Sequence, residues 1–201
     1  MDIVIEAVNK LKEVITHSGC EDGGVVLQVN PDVISCQYEK GACMEACFGG
    51  RSGEFTTFNP IRATTKLEFM FGATLDSQET RGAACAIMNV VTKFLCLSRN
   101  VRACPAKSHE LCVHDLKSRI GSKSVCCLGT MPTIESVFGR FIVSDPVSAD
   151  IILINGEGSI TPEVGDIVKK FINKKTILFI GPSTSGIASL EKIERFCPYG
   201  T

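Results

Sequence analysis

Apolar residues at 3, 4, 7, 8, 11, 14 and 15 recur at helical spacing, so residues 2–17 are predicted as an amphipathic helix with Asp2 as N-cap. Glycines at 19, 23 and 24 end it. Residues 25–29 and 33–39 have strand composition and flank Asn30-Pro31-Asp32, which predicts a hairpin. Residues 40–53 are rich in glycine and cysteine and read as a connection. Residues 54–58 are predicted as a strand, 59–60 as a turn, and 66–71 as a strand or short helix. The longest predicted helix is 77–97. Its first half, Gly82-Ala83-Ala84-Cys85-Ala86, is small enough for close packing, and Ile87, Val90, Val91, Phe94 and Leu95 continue the apolar face. Residues 99–104 read as a short edge strand ended by Pro105. Residues 108–120 read as a helix capped by Ser108 and ended by Gly121.

A different pattern then takes over and repeats three times. Residues 124–128 run into Gly129-Thr130-Met131-Pro132. Ile151–Ile154 run into Asn155-Gly156-Glu157-Gly158, and Thr161-Pro162-Glu163 reads as a helix start. Thr176–Ile180 run into Gly181-Pro182-Ser183-Thr184. A continuous apolar run ended by a glycine turn is a strand buried on both faces, and strand, glycine turn, helix is the grammar of a parallel α/β sheet. With 140–144 as an additional strand, four strands are expected to pair in parallel. The fold class is therefore α/β: a small α+β region over 1–100 with a Rossmann-like domain over 101–201, divided near 98–106.

Composition narrows the class. The chain has 201 residues, 44% of them hydrophobic, and a net charge of −1. No basic stripe or acidic tail appears, so nucleic acid is not expected as a partner. The longest apolar run falls far short of the roughly 20 residues that span a bilayer, and the first residues lack a signal-peptide pattern. A cytoplasmic protein without a membrane partner is expected, with homo-oligomerisation left open. Eleven cysteines in a chain of this size stand out. The odd count and the absent export pattern favour reduced thiols over a disulfide framework. Cys126 and Cys127 fall in a predicted strand, and Cys85 and Cys96 in a predicted helix, where thiols act as small hydrophobes.

Three groups of residues carry candidate chemistry. Parallel strands bring Gly129 and Thr130, Asn155, Gly156, Glu157 and Gly158, and Gly181, Pro182, Ser183 and Thr184 to one sheet edge, where crevices bind anionic ligands. Glu157, between two glycines, is a candidate direct contact. Asp145, after the second predicted strand, is placed to bind a ribose, although the G-x-G-x-x-G fingerprint is absent. Cys36, Cys43 and Cys47 form a C-x6-C-x3-C set, a candidate metal site for zinc, iron, copper(I) or an iron–sulfur centre. Cys104, His109 and Cys112 form a second candidate, with His109 and Cys112 on one helix face. Glu79 and Arg81 open the long helix. No nucleophile elbow, P-loop or H-E-x-x-H motif is present.

Several of these stretches resemble one family. Gly82-Ala83-Ala84-Cys85-Ala86-Ile87-Met88-Asn89 is similar to a GLAAINA helix, KSVCCLGTMP over 123–132 to GKKVAVIGHFP, and Gly181-Pro182-Ser183-Thr184 to a GPST loop. These motifs belong to the uncharacterised heavy-metal chelation domain family, and the likeness covers roughly residues 65–190 in order. The resemblance implies an enolase-N-terminal-like region followed by a Rossmann-like domain, with the site at their junction. The cysteines from 36 to 47 lie outside it. The leading expectation is binding of a metal ion or anionic metallocofactor between the two regions. An S-adenosylmethionine- or nucleotide-dependent transferase using Asp145, and a thiol redox sensor, are the alternatives.

Overall fold

The computed structural model describes residues 2–33 and 35–201. Helix α1 (Ile3–Ile15) starts at Asp2, whose Oδ1 accepts from the amides of Val4 (3.0 Å) and Ile5 (3.3 Å). Strand β1 (Gly24–Val29) follows, but its partner is not 33–39. Residues 33 and 35–39 form no strand, and Ile34 lies outside the described residues. The antiparallel partner of β1 is instead β2 (Ala42–Phe48), which pairs in turn with β3 (Arg51–Thr57) across a turn at Gly49 and Gly50, φ 54° and 72°. Two consecutive positive-φ residues make the tight hairpin turn that suits strand twist. The supposed 40–53 connection is thus the middle of a sheet. Strand β4 (Ala63–Lys66) completes the order β3-β2-β1-β4 and runs into the short helix α2 (Leu67–Phe71).

Helix α3 (Gln78–Phe94) has the predicted place, with a capping box between Ser77 and Thr80. Every residue from Arg81 to Thr92 is buried, because α3 lies between the antiparallel sheet and the second half of the chain. Cys96 falls beyond its end, exposed and at φ 59°. Residues 99–104 do not form a strand, but the Val101 carbonyl accepts from Glu54 N (2.8 Å) along the open edge of β3.

Helix α4 (His109–Ile120) leads into β5 (Val125–Leu128) and α5 (Pro132–Phe138). Residues 140–144 contribute only a single bridge, Ile142 to Val125. Then come β6 (Ile151–Ile154), the short helix α6 (Gly156–Ser159) and α7 (Val164–Phe171). Thr161 caps no helix; its Oγ1 donates to the Gly158 carbonyl (2.9 Å). Strand β7 (Thr176–Ile180), α8 (Ser185–Glu191) and the two-residue β8 (Arg195–Phe196) finish the chain. The parallel order is β5-β6-β7-β8, so the chain is α/β, and its fourth parallel strand is β8 rather than 140–144.

The parallel sheet is covered on both faces, as its apolar runs require. Ile152, Ile154, Ile177 and Phe179 join one core with α1, α3 and the antiparallel sheet, while Ile151, Leu153, Leu178 and Ile180 face a second core with α4 and α5. The first core continues across residue 100, so the 1–100 and 101–201 halves share one interior. Two polar devices fasten it. Arg81, buried, grips Asp2 in a bidentate pair (2.5 and 2.9 Å) and donates through Nε to the Ile160 carbonyl. Asn89, 1% exposed, donates to the carbonyls of Glu54 (2.9 Å) and Ser183 (3.0 Å) and accepts from Gly186 N (2.6 Å). Among the described residues, no helix is long and apolar enough to cross a membrane.

Candidate functional site

The three glycine turns do meet at the carboxyl edge of the parallel sheet, but the chain fills that edge with its own groups. Glu157 Oε2 accepts from Thr130 N (2.9 Å), taking the amide an anion would use. Asn155, fully buried, accepts from Gly158 N (2.9 Å) and donates to the carbonyls of Thr130 (3.0 Å) and Tyr38 (3.2 Å). Ser183 Oγ accepts from Thr56 N (2.9 Å), and Thr184 Oγ1 donates to the Gly181 carbonyl (3.1 Å). Gly156, Pro182, Ser183 and Thr184 are buried. A Cβ on Gly158 would stand 2.0 Å from the Leu128 carbonyl oxygen, and one on Gly129 at 2.0 Å from Asn155 Oδ1. These glycines allow one turn to pack directly against another. Asp145 is exposed and closes a turn by accepting from Val147 N (2.8 Å). It is engaged as a turn aspartate.

One short segment, 36–39, seals the edge. Gln37 donates to the His109 carbonyl of α4 (2.8 Å), and its own carbonyl accepts from Thr133 Oγ1 of α5 (2.8 Å). The Tyr38 hydroxyl donates to Cys112 Sγ (3.4 Å). Glu39 closes a turn through its amide to the Cys36 carbonyl (2.9 Å) and accepts from Ser183 Oγ at Oε2 (2.9 Å). Its other oxygen, Oε1, is buried without a hydrogen-bond partner among the described residues. Burial raises the Glu39 carboxyl to about 7, against the lowering hydrogen bonds from Ser183 and Thr56.

Beside the 36–39 segment lies a small cavity of about 10 Å³ whose wall carries four thiols: Cys36, Cys104, Cys112 and Cys197. Cys36 comes from the sealing segment, Cys104 from the connection before α4, Cys112 from α4, and Cys197 from the residue after β8. The first three are buried and Cys197 is partly buried. Desolvation raises all four thiols above their usual range, Cys197 to about 11. Such a shift disfavours the thiolate form. Arg195 stands beside Cys197 and Glu39. Its guanidinium donates to the carbonyls of Arg99 (2.6 Å), Asn100 (3.1 Å) and Gly181 (3.3 Å), and no carboxylate among the described residues pairs with it.

The structure divides the cysteine sets that sequence spacing suggested. Cys43 and Cys47 sit on the polar face of β2, flanking Glu45, which pairs with Arg102 (3.6 Å) beside Glu54 (3.0 Å). Cys36 instead joins Cys104 and Cys112 of the second set. His109 stays off the cavity wall, with its Nε2 buried and unpartnered among the described residues. Among the described residues no group of three or more His, Cys, Asp or Glu side chains is arranged to hold a metal ion. Glu39, Cys197 and Arg195 carried no signal as site residues. Glu39 lay in a presumed strand, and β8 is too short to show in a pattern.

Comparison with known proteins gives fold and no activity. No protein-family model matches the sequence, and no curated protein does. Among solved structures, a crystal structure of a DUF364-family protein of unknown function from Pyrococcus horikoshii is similar. It is 14% identical, with a TM-score of 0.50, and the match covers 90% of this chain and 79% of that one. At that identity the likeness is one of architecture.

Proposed function

We propose that this protein binds a single soft or borderline metal ion in the thiol-lined cavity where the two halves meet. The observation that carries this reading is that Cys36, Cys104, Cys112 and Cys197, from four separate segments, line one small cavity. Thiolate suits zinc, ferrous iron and cuprous copper. The void is about 10 Å³, near the lower limit for one water. That scale suits one ion and leaves no room for an iron–sulfur cluster or an anionic metallocofactor. The thiols line the wall as neutral groups, so an ion would draw them inward and displace one proton to solvent for each thiolate formed. Arg195 is placed to offset the negative charge this creates. Their burial argues against a redox sensor, whose thiols need access and a low pKa.

The test is elemental analysis of anaerobically purified protein, with thiol variants checked for folding by circular dichroism. About one metal per chain is expected. It should be lost in Cys104→Ser/Cys112→Ser and kept in Cys43→Ser/Cys47→Ser. Metal-free wild type after reconstitution with zinc, iron and copper(I) would reject the reading.

A further inference from the structure

The antiparallel sheet covers one of its edges and leaves the other open. Along β3 the Val101 carbonyl accepts from Glu54 N (2.8 Å), whereas the order β3-β2-β1-β4 ends at β4, with no further strand beyond it among the described residues. Two bonds fix which way the β4 backbone faces. Asn30 N donates to the Cys43 carbonyl (3.1 Å), so alternate residues of β1 turn to β2 and the others, Val25 and Leu27, turn to β4. Leu67 N donates to the Gly23 carbonyl (3.1 Å), in the same phase. Val25 and Leu27 are paired with Thr65 and Ala63, and Thr64 therefore points its amide and carbonyl away from the sheet. Outward backbone groups on an edge strand are a template for another strand.

An apolar groove of about 230 Å³ lies beside this edge. Ala63 and Thr65 line it from β4, Leu27 from β1, and Ala84 and Ile87 from α3. Phe69 of α2 lines it too, and at 63% exposed it is the least covered large apolar side chain among the described residues. The edge and the groove are thus one surface, half backbone and half apolar side chain.

The charges along β4 say what fits it. Lys66, at its end, lies 3.9 Å from Asp22 and 3.5 Å from Glu68, two exposed carboxylates against one ammonium. Arg62, just before its start, is exposed and pairs with no carboxylate among the described residues. The strand is therefore basic before it begins and acidic where it ends. An antiparallel copy of the same strand, turned about a two-fold axis at Thr64, sets Arg62 opposite the partner's Lys66 and the carboxylates around it. Lys66 does not repel such a copy as an unpaired lysine on an edge would, because its own acids already outweigh it.

We infer that β4 is a self-association edge: two copies of this chain pair β4 to β4 antiparallel about Thr64, joining their sheets into one of eight strands. The two Thr64 residues exchange a pair of backbone hydrogen bonds. Each Arg62 meets the acidic end of the partner strand, and the two grooves lie side by side on one face, with Phe69 at the contact. Such an interface is isologous and closes on itself, so it makes a dimer and no fibre. One short strand pair and a groove make a small contact, which belongs to a weak, concentration-dependent dimer. The inference is independent of the metal-binding reading.

Sedimentation equilibrium of the full chain from about 1 µM to about 1 mM tests it, with a dissociation constant of about 10–100 µM expected. Thr64→Pro removes the outward amide at an edge position where proline is tolerated, and should weaken the dimer about tenfold or more. Arg62→Glu should weaken it similarly, by placing like charges together. Arg62→Glu/Glu68→Arg reverses both ends of the strand and should return the constant to within about threefold of wild type. Circular dichroism confirms that each variant is folded. A wild type that stays monomeric to about 1 mM would overturn the inference. So would a dimer that Thr64→Pro and Arg62→Glu leave unchanged, which would form through another surface. Failure of the double variant to restore what Arg62→Glu loses would overturn the two-fold pairing, and with it the proposal.

Discussion

Ser183 and Glu39 are 144 positions apart and joined by one buried hydrogen bond: Ser183 Oγ donates to Glu39 Oε2 at 2.9 Å. The bond ties the turn after β7 to the segment that seals the sheet edge. It also fixes a pH dependence. Burial raises the folded-state Glu39 carboxyl to about 7, above its ordinary value of 4.5. The folded chain thus holds a proton that the unfolded chain has released, and stability falls as pH rises from about 4.5 to 7. Glu39→Gln should abolish this slope and exceed wild type by about 3 kcal/mol above pH 7. Urea denaturation of both proteins at several pH values measures it. Parallel profiles would contradict the assignment.

The glycine turns make a sharper contrast. Gly158→Ala sets a methyl 2.0 Å from a backbone carbonyl that has nowhere to move, whereas Gly72 has open space and a negative φ. Gly158→Ala should cost more than about 4 kcal/mol or prevent folding, and Gly72→Ala should stay within about 0.5 kcal/mol. Thermal melts of the two variants are sufficient.

Asn89→Ala leaves the carbonyls of Glu54 and Ser183 and the amide of Gly186 without their side-chain partner. A loss of about 2–4 kcal/mol is expected, since buried groups lose their partners together. Hydrogen exchange of the Gly186 amide should accelerate with it. Unchanged exchange would mean that the amide has other protection.

Thiol labelling separates packing from reactivity. Cys96 is the cysteine exposed to solvent, and Cys36, Cys104 and Cys112 are buried with raised pKa values. Native protein treated with a maleimide should be modified at Cys96 first, and at Cys36, Cys104 and Cys112 only on unfolding. Peptide mass mapping over time reads the order. Cavity labelling at the rate of Cys96 would favour the redox alternative.

What the sequence could and could not announce follows from periodicity. Ile151–Ile154 was legible because burial on both faces leaves an unbroken apolar run. Strand β2 hid because one of its faces is Cys43, Glu45 and Cys47, so polarity and burial disagree along it. Tyr38 and Glu39 lie in a stretch of strand composition and instead follow the needs of Asn155, Cys112 and Ser183, all far away in sequence. The carboxyl edge was legible as a meeting place of turns. That the chain would plug it with Glu157 and Tyr38 was not, since a side chain standing in for a ligand leaves no mark on spacing. Cys104 and Cys112 were legible as neighbours. Their union with Cys36 and Cys197 is purely tertiary.

Helix α3 touches the antiparallel sheet on one side and α8 on the other, and α1 also packs on α8. During synthesis, α1, α3 and the antiparallel sheet leave the ribosome well before α8 exists. At roughly 5–20 residues per second, an apolar helix face then waits several seconds for its cover. The first half of this chain therefore carries uncovered apolar surface until the second half arrives, and a nascent chain stalled short of α8 should aggregate.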